Sequence, residues 1–222
     1  MLTPTNTKVS GGNGAKKFWL VRESESFCFL LFLQSHQPNF PMEFPLDLYP
    51  SQTLTLLLLL GVSPSSLQAL RAAATARTLN AALLDASLVA SQATLLSAAN
   101  RAALARARGA KGMTDSPHTD LVVALHGGRN IAEALRALAP RPGASAVLLA
   151  VCSRAAAVEG LRALAPEATQ GVLGDFYAPG SPAVDAAAIA ALYKCSAEEL
   201  ALHSSAGTAL EAAVLARIGA EA

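Results

Sequence analysis

The chain has 222 residues, of which 52% are hydrophobic and only 15% are charged, a balance that excludes disorder along the whole length. Its net charge of +1 gives no overall attraction to nucleic acid or to an anionic membrane. The three cysteines, Cys28, Cys152 and Cys195, form no CxxC pair, which argues against a disulfide framework. The most apolar stretches, Phe27–Leu33 and Leu54–Leu60, are far shorter than the ~20 residues that a membrane span needs, so no membrane is expected.

The first 41 residues differ in composition from everything after them. They hold the only tryptophan, Trp19, together with most of the phenylalanines, and they show no periodic pattern. We interpret residues 1–41 as disordered or as an upstream extension of the gene model, with a transit peptide as the competing interpretation. The Ala- and Leu-rich pattern begins at Met42, and residues 42–222 are expected to form a single domain.

The clearest pattern in this domain lies between Thr119 and Cys152. Two apolar runs, Leu121–Leu125 and Ala146–Val151, flank a helical pattern that begins at Asn130. Runs without polar alternation are typical of strands that are covered on both faces. The order strand, helix, strand predicts a βαβ unit.

The rest of the domain alternates short apolar runs with helical patterns. Capping residues mark several helix starts, among them Ser63-Pro64, Asn130 with Glu133, and Ser181-Pro182. The expected strands are residues 53–60, 79–84, 121–125, 146–151 and 167–172. The expected helices are residues 64–77, 87 or 91 to 108, 130–138, 155–165, 183–193, 196–202 and 208–218. The predicted fold class is α/β (α+β), a small mixed β-sheet flanked by helices, with a helical C-terminus.

No motif in the sequence requires an active site. His126-Gly127-Gly128 is similar to the oxyanion loop of α/β-hydrolases, but no G-x-S-x-G nucleophile motif accompanies it. The four histidines lack metal-ligand spacing and are interpreted as solvent or loop residues, so neither a metal nor a cofactor is expected. The alternative is a small α/β enzyme with a site near His126–Asn130, which a deep cavity lined by a titratable pair would favour.

One segment is locally basic. No acidic residue lies between Asp85 and Asp115, and the cations there are Arg101, Arg106, Arg108 and Lys111. Cations in the last turns of a helix complement its dipole, which is one explanation. The other is a patch that contacts the phosphates of a nucleic acid.

The last predicted helix is amphipathic. Leu210, Val214 and Ile218 recur every four residues and therefore share one face. Such a face either covers the core or docks into a partner's groove.

Several segments, in order, resemble one family. They are Leu46-Asp47-Leu48-Tyr49-Pro50, Ala98-Ala99-Asn100-Arg101-Ala102, Asn130-Ile131-Ala132-Glu133-Ala134-Leu135, Leu192-Tyr193-Lys194 followed by Ser196, and Leu210-Glu211-Ala212-Ala213. The chain resembles the kinase-binding subunit of the KEOPS/EKC complex, the TPRKB family, from Met42 to about Ile218.

The resemblance implies a non-catalytic protein of the cytoplasm and nucleus. Members of the family bind the N-lobe of a PRPK-type atypical kinase, which carries the ATP and the metal. The complex places threonylcarbamoyl on the adenosine beside the anticodon of tRNA, and the family subunit helps to hold that tRNA. Here Leu210, Val214 and Ile218 would meet the kinase. The segment that is usually basic in the family has Asp115, which leaves the four cations named above as the tRNA-binding candidates.

Overall fold

The computed structural model describes residues 41–109, 114–152, 158–178, 180–202 and 205–220. The strands are β1 (Met42–Leu46), β2 (Tyr49–Leu60), β3 (Ala82–Asp85), β4 (Ala146–Val151) and β5 (Thr169–Gln170). The helices are α1 (Pro64–Thr75), α2 (Gln92–Ala107), α3 (Pro117–His126), α4 (Ile131–Leu138), α5 (Val158–Arg162), α6 (Leu173–Phe176), α7 (Ala186–Leu192), α8 (Ala197–Ala201) and α9 (Ala206–Ala220). A short 3-10 helix, Ala86–Leu88, follows β3.

The strands form one sheet in the order β1-β2-β4-β3, and β5 pairs with the end of β2. Every pairing among the described strands is antiparallel; for example, Leu58 of β2 and Leu84 of β3 both lie opposite Leu148 of β4. The predicted α+β class and the helical C-terminus are confirmed. The expected mixed sheet and its parallel βαβ unit are wrong, because β4 runs antiparallel to both of its neighbours.

The leucine run of β2 is explained by cover on both faces of the sheet. Leu54, Leu56 and Leu58 belong to the larger core, which α2, α3, α7 and α9 close. Leu57 and Leu59 point to a second core beneath α1 and α5. Since successive strand residues face opposite sides, a strand between two helical layers carries apolar residues at nearly every position.

The predicted strand at Leu121–Leu125 is wrong, because these residues form the middle of helix α3. The Ser116 side chain accepts a hydrogen bond from the Thr119 backbone N–H, and Pro117 occupies the first turn. These are the start signals of a helix. A short apolar run does not by itself distinguish a buried strand from a helix buried on most sides.

Other boundaries move by smaller amounts. β1 and β2 form a hairpin, so β2 begins four residues before the predicted position, Thr53. The predicted strand at 167–172 keeps only the two residues of β5. Asp185, rather than Ser181, caps α7. The caps at Ser63, Ser91 and Asn130 are confirmed. The predicted helix at 155–165 begins outside the described residues.

Candidate functional site

The inner face of the C-terminal helix α9 is part of the core. Leu210, Val214 and Ile218 are 5%, 1% and 0% exposed and pack in the larger core. These three residues therefore hold α9 on the domain and are not accessible to a partner in this structure. The expectation that they contact a kinase directly is corrected: the amphipathic face predicted from the sequence is the face that covers the core.

Two polar contacts join α9 to helix α2 and its N-terminal cap. In the first half of α9, the Ser91 hydroxyl donates a 2.6 Å hydrogen bond to Glu211 Oε1. Near the end of α9, Arg101 Nη1 donates to the Ile218 carbonyl oxygen at 2.6 Å. These bonds add to the packing that holds α9 against the larger core.

Arg217 attaches α9 to α8. Its Nη2 donates to Glu199 Oε2 at 2.8 Å and to the Lys194 carbonyl oxygen at 3.1 Å. Hydrogen bonding to Glu199 raises the pKa of Arg217, and the same contact lowers the pKa of Glu199. This contact is half-exposed, so its energetic contribution is small compared with that of the buried leucines.

The outward face of α9 consists mainly of small side chains. Ala216 and Gly219 are exposed, while Ala212 and Leu215 are half-buried. A Cβ built on Gly219 meets no atom within 4 Å among the described residues. Small side chains let the backbone of a second helix or strand approach closely, so this face suits a tightly packed protein contact.

Of the four predicted basic residues, the structure brings Arg101 and Arg108 to one side of α2. They are seven residues apart, whereas Arg106 lies about 140° around the helix from Arg101. Arg101 is engaged with the end of α9, and Arg108 is exposed at the C-terminal cap of α2. Lys111 lies outside the described residues.

Arg106 forms an ion pair with Asp120, which is 3% exposed. Arg106 Nη1 also donates to the Thr114 carbonyl oxygen at 2.9 Å. Asp120 Oδ1 accepts further hydrogen bonds from the Thr114 backbone N–H at 2.8 Å and from its hydroxyl at 2.7 Å. The pair ties α2 to α3 and neutralises one charge of the expected basic patch. The sequence did not predict this ion pair, because residues 121–125, next to Asp120, were expected to form a strand.

The loop at His126 connects two helices rather than a strand and a helix. Gly127 adopts φ 76°, the left-handed conformation that ends α3. A Cβ on Gly128 would lie 2.8 Å from His126 Nδ1, which explains the second glycine. His126 Nδ1 itself is buried without a hydrogen-bond partner. Neither the cavity lined by Leu54, Ala103 and Cys152 nor the one lined by Asp85, Arg141 and Phe176 includes a residue of the segment His126–Asn130.

His118 is buried, which corrects its interpretation as a solvent or loop histidine. Its Nε2 lies 2.9 Å from Asn80 Oδ1, and its Nδ1 accepts from the Cys152 backbone N–H at 3.3 Å. These two contacts require a neutral ring that carries its proton on Nε2. Burial lowers the pKa of His118. Burial likewise raises the pKa of the neighbouring Cys152 thiol to about 12, which makes it unreactive.

Within the described residues, no group of three or more His, Cys, Asp or Glu side chains is placed to hold a metal ion. No helix of the described ranges is long and apolar enough to cross a membrane. The fold and the contacts together define an α+β domain whose best candidate for function is an exposed helical surface.

The chain matches the family model described as "Kinase binding protein CGI-121" over residues 62–221. The match covers more than two thirds of the chain, so the chain belongs to this family of kinase-binding proteins. The kinase-binding resemblance found in the sequence is thereby confirmed. A search of curated proteins finds no match.

Proposed function

We propose that this chain is a non-catalytic accessory subunit of a KEOPS/EKC-type complex, which binds a PRPK-type atypical kinase and helps to hold tRNA. Membership of the kinase-binding family carries the proposal. In this role the chain needs no cofactor of its own, since the kinase supplies ATP and metal. Its place of action would be the cytoplasm and nucleus, and its domain would comprise residues 42–222.

The kinase contact is assigned to the outward face of α9. Leu210, Val214 and Ile218 lie beneath this face and set its position, so they act by supporting the interface rather than by forming it. Ala212, Ala216 and Gly219 leave the helix backbone open to close approach. Because the helix is already packed on the core and hydrogen-bonded at Glu211 and Ile218, binding here costs little conformational entropy.

The tRNA contact is assigned to the end of α2. Arg108 is exposed there, and Lys111 follows it in the sequence. Arg101 and Arg106 support this region through bonds to Ile218 and Asp120, and their charges are less available to a phosphate. The contribution of this chain to tRNA binding is therefore expected to be small, about one or two phosphate contacts.

The test of the kinase surface is co-elution with a purified PRPK-type kinase on size-exclusion chromatography. Ala216→Arg places a long charged side chain on the outward face of α9 and is expected to abolish co-elution. Ala69→Arg is the matched control, because Ala69 is also an exposed helical alanine but lies on α1, which covers the opposite face of the sheet. Equal co-elution of both variants would contradict the assignment to α9.

A further inference from the structure

An open cavity of about 690 Å³ lies where the turn before β4 meets the end of β2. This volume is in the range of ligand pockets in proteins. Leu60, Phe176 and Ala183 supply apolar surface, and the charged side chains that line the cavity include Asp85 and Arg141. None of the lining residues belongs to α2 or α9, so the cavity is separate from the two surfaces assigned above.

The guanidinium of Arg141 is held in a fixed position in this lining. Its Nε donates to Asp85 Oδ2 at 3.3 Å, its Nη2 donates to Ser87 Oγ at 3.0 Å, and Nη1 and Nη2 both donate to Asp185 Oδ2 at 3.3 Å. These bonds use most of the five N–H groups that a guanidinium carries along its edge. The Arg141 side chain is nevertheless 51% exposed, whereas that of Asp85 is 2% exposed.

This arrangement does not suit an anionic ligand. Carboxylates and phosphates bind arginine through the N–H groups of the guanidinium edge, and here that edge already faces Asp85, Asp185 and Ser87. Two carboxylates around one arginine also leave an excess of negative charge, which repels an anion. The guanidinium still offers its flat face, which attracts the face of an aromatic ring.

The walls of the cavity are in place before a ligand arrives. The ring of Phe176 meets that of Tyr177 edge to face, with the centroids 5.0 Å apart, and the Tyr177 hydroxyl donates to the Ala86 carbonyl oxygen at 3.1 Å. The turn that carries Arg141 is closed by a 3.0 Å hydrogen bond from the Ala144 backbone N–H to the Arg141 carbonyl oxygen. Little conformational entropy is therefore lost when the cavity is filled.

We propose that this cavity binds an uncharged aromatic side chain of a partner protein, which stacks on the guanidinium face of Arg141. Tryptophan and tyrosine are common anchors of protein contacts, because they bury a large area with few rotatable bonds. The source is a protein rather than a nucleic acid, because the phosphate of a nucleotide would meet the excess negative charge beside Arg141. The proposal does not depend on the kinase assignment.

The test uses the full-length chain and two probes that share one indole ring. N-acetyltryptophanamide is uncharged, whereas N-acetyltryptophan carries a carboxylate. In an NMR titration of the isotope-labelled chain, the amide probe is expected to shift the signals of Gly143 and Ser145, which line the cavity. It should also bind at least about threefold more tightly than the acid probe. Equal affinities, or shifts confined to other parts of the chain, would overturn the proposal.

Three variants locate the site. Arg141→Lys keeps the positive charge beside Asp85 and Asp185 but removes the flat face, and it should weaken binding of the amide probe about fivefold or more. Ala183→Leu, which narrows the cavity, should have the same effect. Ala69→Leu, on the exposed side of α1, should leave binding unchanged.

Circular dichroism verifies the fold of each variant. Ala183→Leu decides the question if Arg141→Lys does not fold. Binding that survives in a folded Arg141→Lys or Ala183→Leu variant would contradict the assignment to this cavity.

A nucleotide is distinguished by the same titration. The proposal predicts that adenosine 5′-monophosphate binds more weakly than N-acetyltryptophanamide, because its phosphate is repelled. Tighter binding of the nucleotide that is lost in Arg141→Lys would show that the cavity recognises a nucleic acid and would overturn the proposal.

Discussion

Arg101 donates a 2.6 Å hydrogen bond from Nη1 to the carbonyl oxygen of Ile218, across a sequence separation of 117 residues. A cation that the sequence places among candidates for a nucleic-acid patch thus binds a backbone carbonyl near the end of the C-terminal helix. This hydrogen bond helps to set the position of α9 relative to α2, and the proposed kinase-binding face of α9 depends on that position.

Arg101→Met is expected to lower the free energy of unfolding by about 1–2 kcal/mol, because it removes a charged hydrogen bond while keeping most of the aliphatic stem. Urea denaturation measures the change. Arg108→Met, in an exposed position on the same side of α2, serves as the control and should change stability by less than about 0.5 kcal/mol. Equal losses in the two variants would show that the bond to Ile218 does not stabilise the fold.

Asp120→Asn is expected to lower the free energy of unfolding by about 3 kcal/mol, since it leaves Arg106 and the Thr114 hydrogen-bond donors without their carboxylate. Asp115→Asn is the matched control, because Asp115 is exposed five residues earlier in the chain. Thermal unfolding followed by circular dichroism compares the two. A small effect of Asp120→Asn would mean that the buried ion pair does not join α2 to α3.

Arg108→Glu is expected to weaken tRNA binding by the assembled complex and to reduce the slope of log affinity against log salt concentration by about 1. Arg106→Glu is unsuitable for this test, because it places a second carboxylate beside the buried Asp120. Filter binding at several salt concentrations gives the slope. An unchanged affinity and slope for Arg108→Glu would remove the end of α2 from the tRNA contact.

The neutral state of His118 predicts a pH dependence. Its pKa is lower in the folded state than the unperturbed value of about 6.5, so the unfolded chain binds the extra proton first. The free energy of unfolding that the neutral His118 ring contributes is therefore complete above about pH 6.5. It is lost as the pH falls from there toward the folded-state pKa, by at most about 1.4 kcal/mol per pH unit. Urea denaturation at pH 7.5 and 5.5 should show a smaller loss in His118→Gln than in the wild type. Identical losses would mean that another group is responsible.

Helices α1 and α7 are each followed by a basic residue whose backbone is in the left-handed conformation. These residues are Arg77, with φ 57°, and Lys194, with φ 52°. Glycine adopts this conformation without the cost that a Cβ imposes, so Arg77→Gly and Lys194→Gly should each raise the free energy of unfolding by about 0.5–1 kcal/mol. Arg71→Gly, in the interior of α1, should instead lower it by about 1 kcal/mol. Destabilisation by all three substitutions would show that the side chains of Arg77 and Lys194 matter more than their backbone conformation.

The sequence predicts those parts of the fold that depend on local signals. The cap at Asn130 and the apolar strand Ala146–Val151 are both found in the structure. The run Leu121–Leu125 was misassigned because burial on most sides removes the periodicity that distinguishes a helix from a strand. Ser116-Pro117 is the same serine-proline start that correctly marks α1 at Ser63-Pro64, although a third such pair, Ser181-Pro182, does not cap α7.

The candidate site was harder to predict, because it depends on which residues meet in space. The sequence identifies the apolar face of α9, but only the fold shows that Leu210, Val214 and Ile218 point inward. Likewise, the sequence shows Arg106 among other cations, and only the helical state of residues 117–126 brings Asp120 beside it. Contacts between residues distant in sequence decide whether an arginine is available to a ligand.

The most direct test of the central claim is isothermal titration of the full-length chain with a purified PRPK-type kinase from the same organism. The account predicts saturable binding with one chain per kinase, together with loss of that binding in Ala216→Arg and its retention in Ala69→Arg. An absence of heat and of co-elution, with both proteins folded by circular dichroism, would contradict the proposed kinase-binding function.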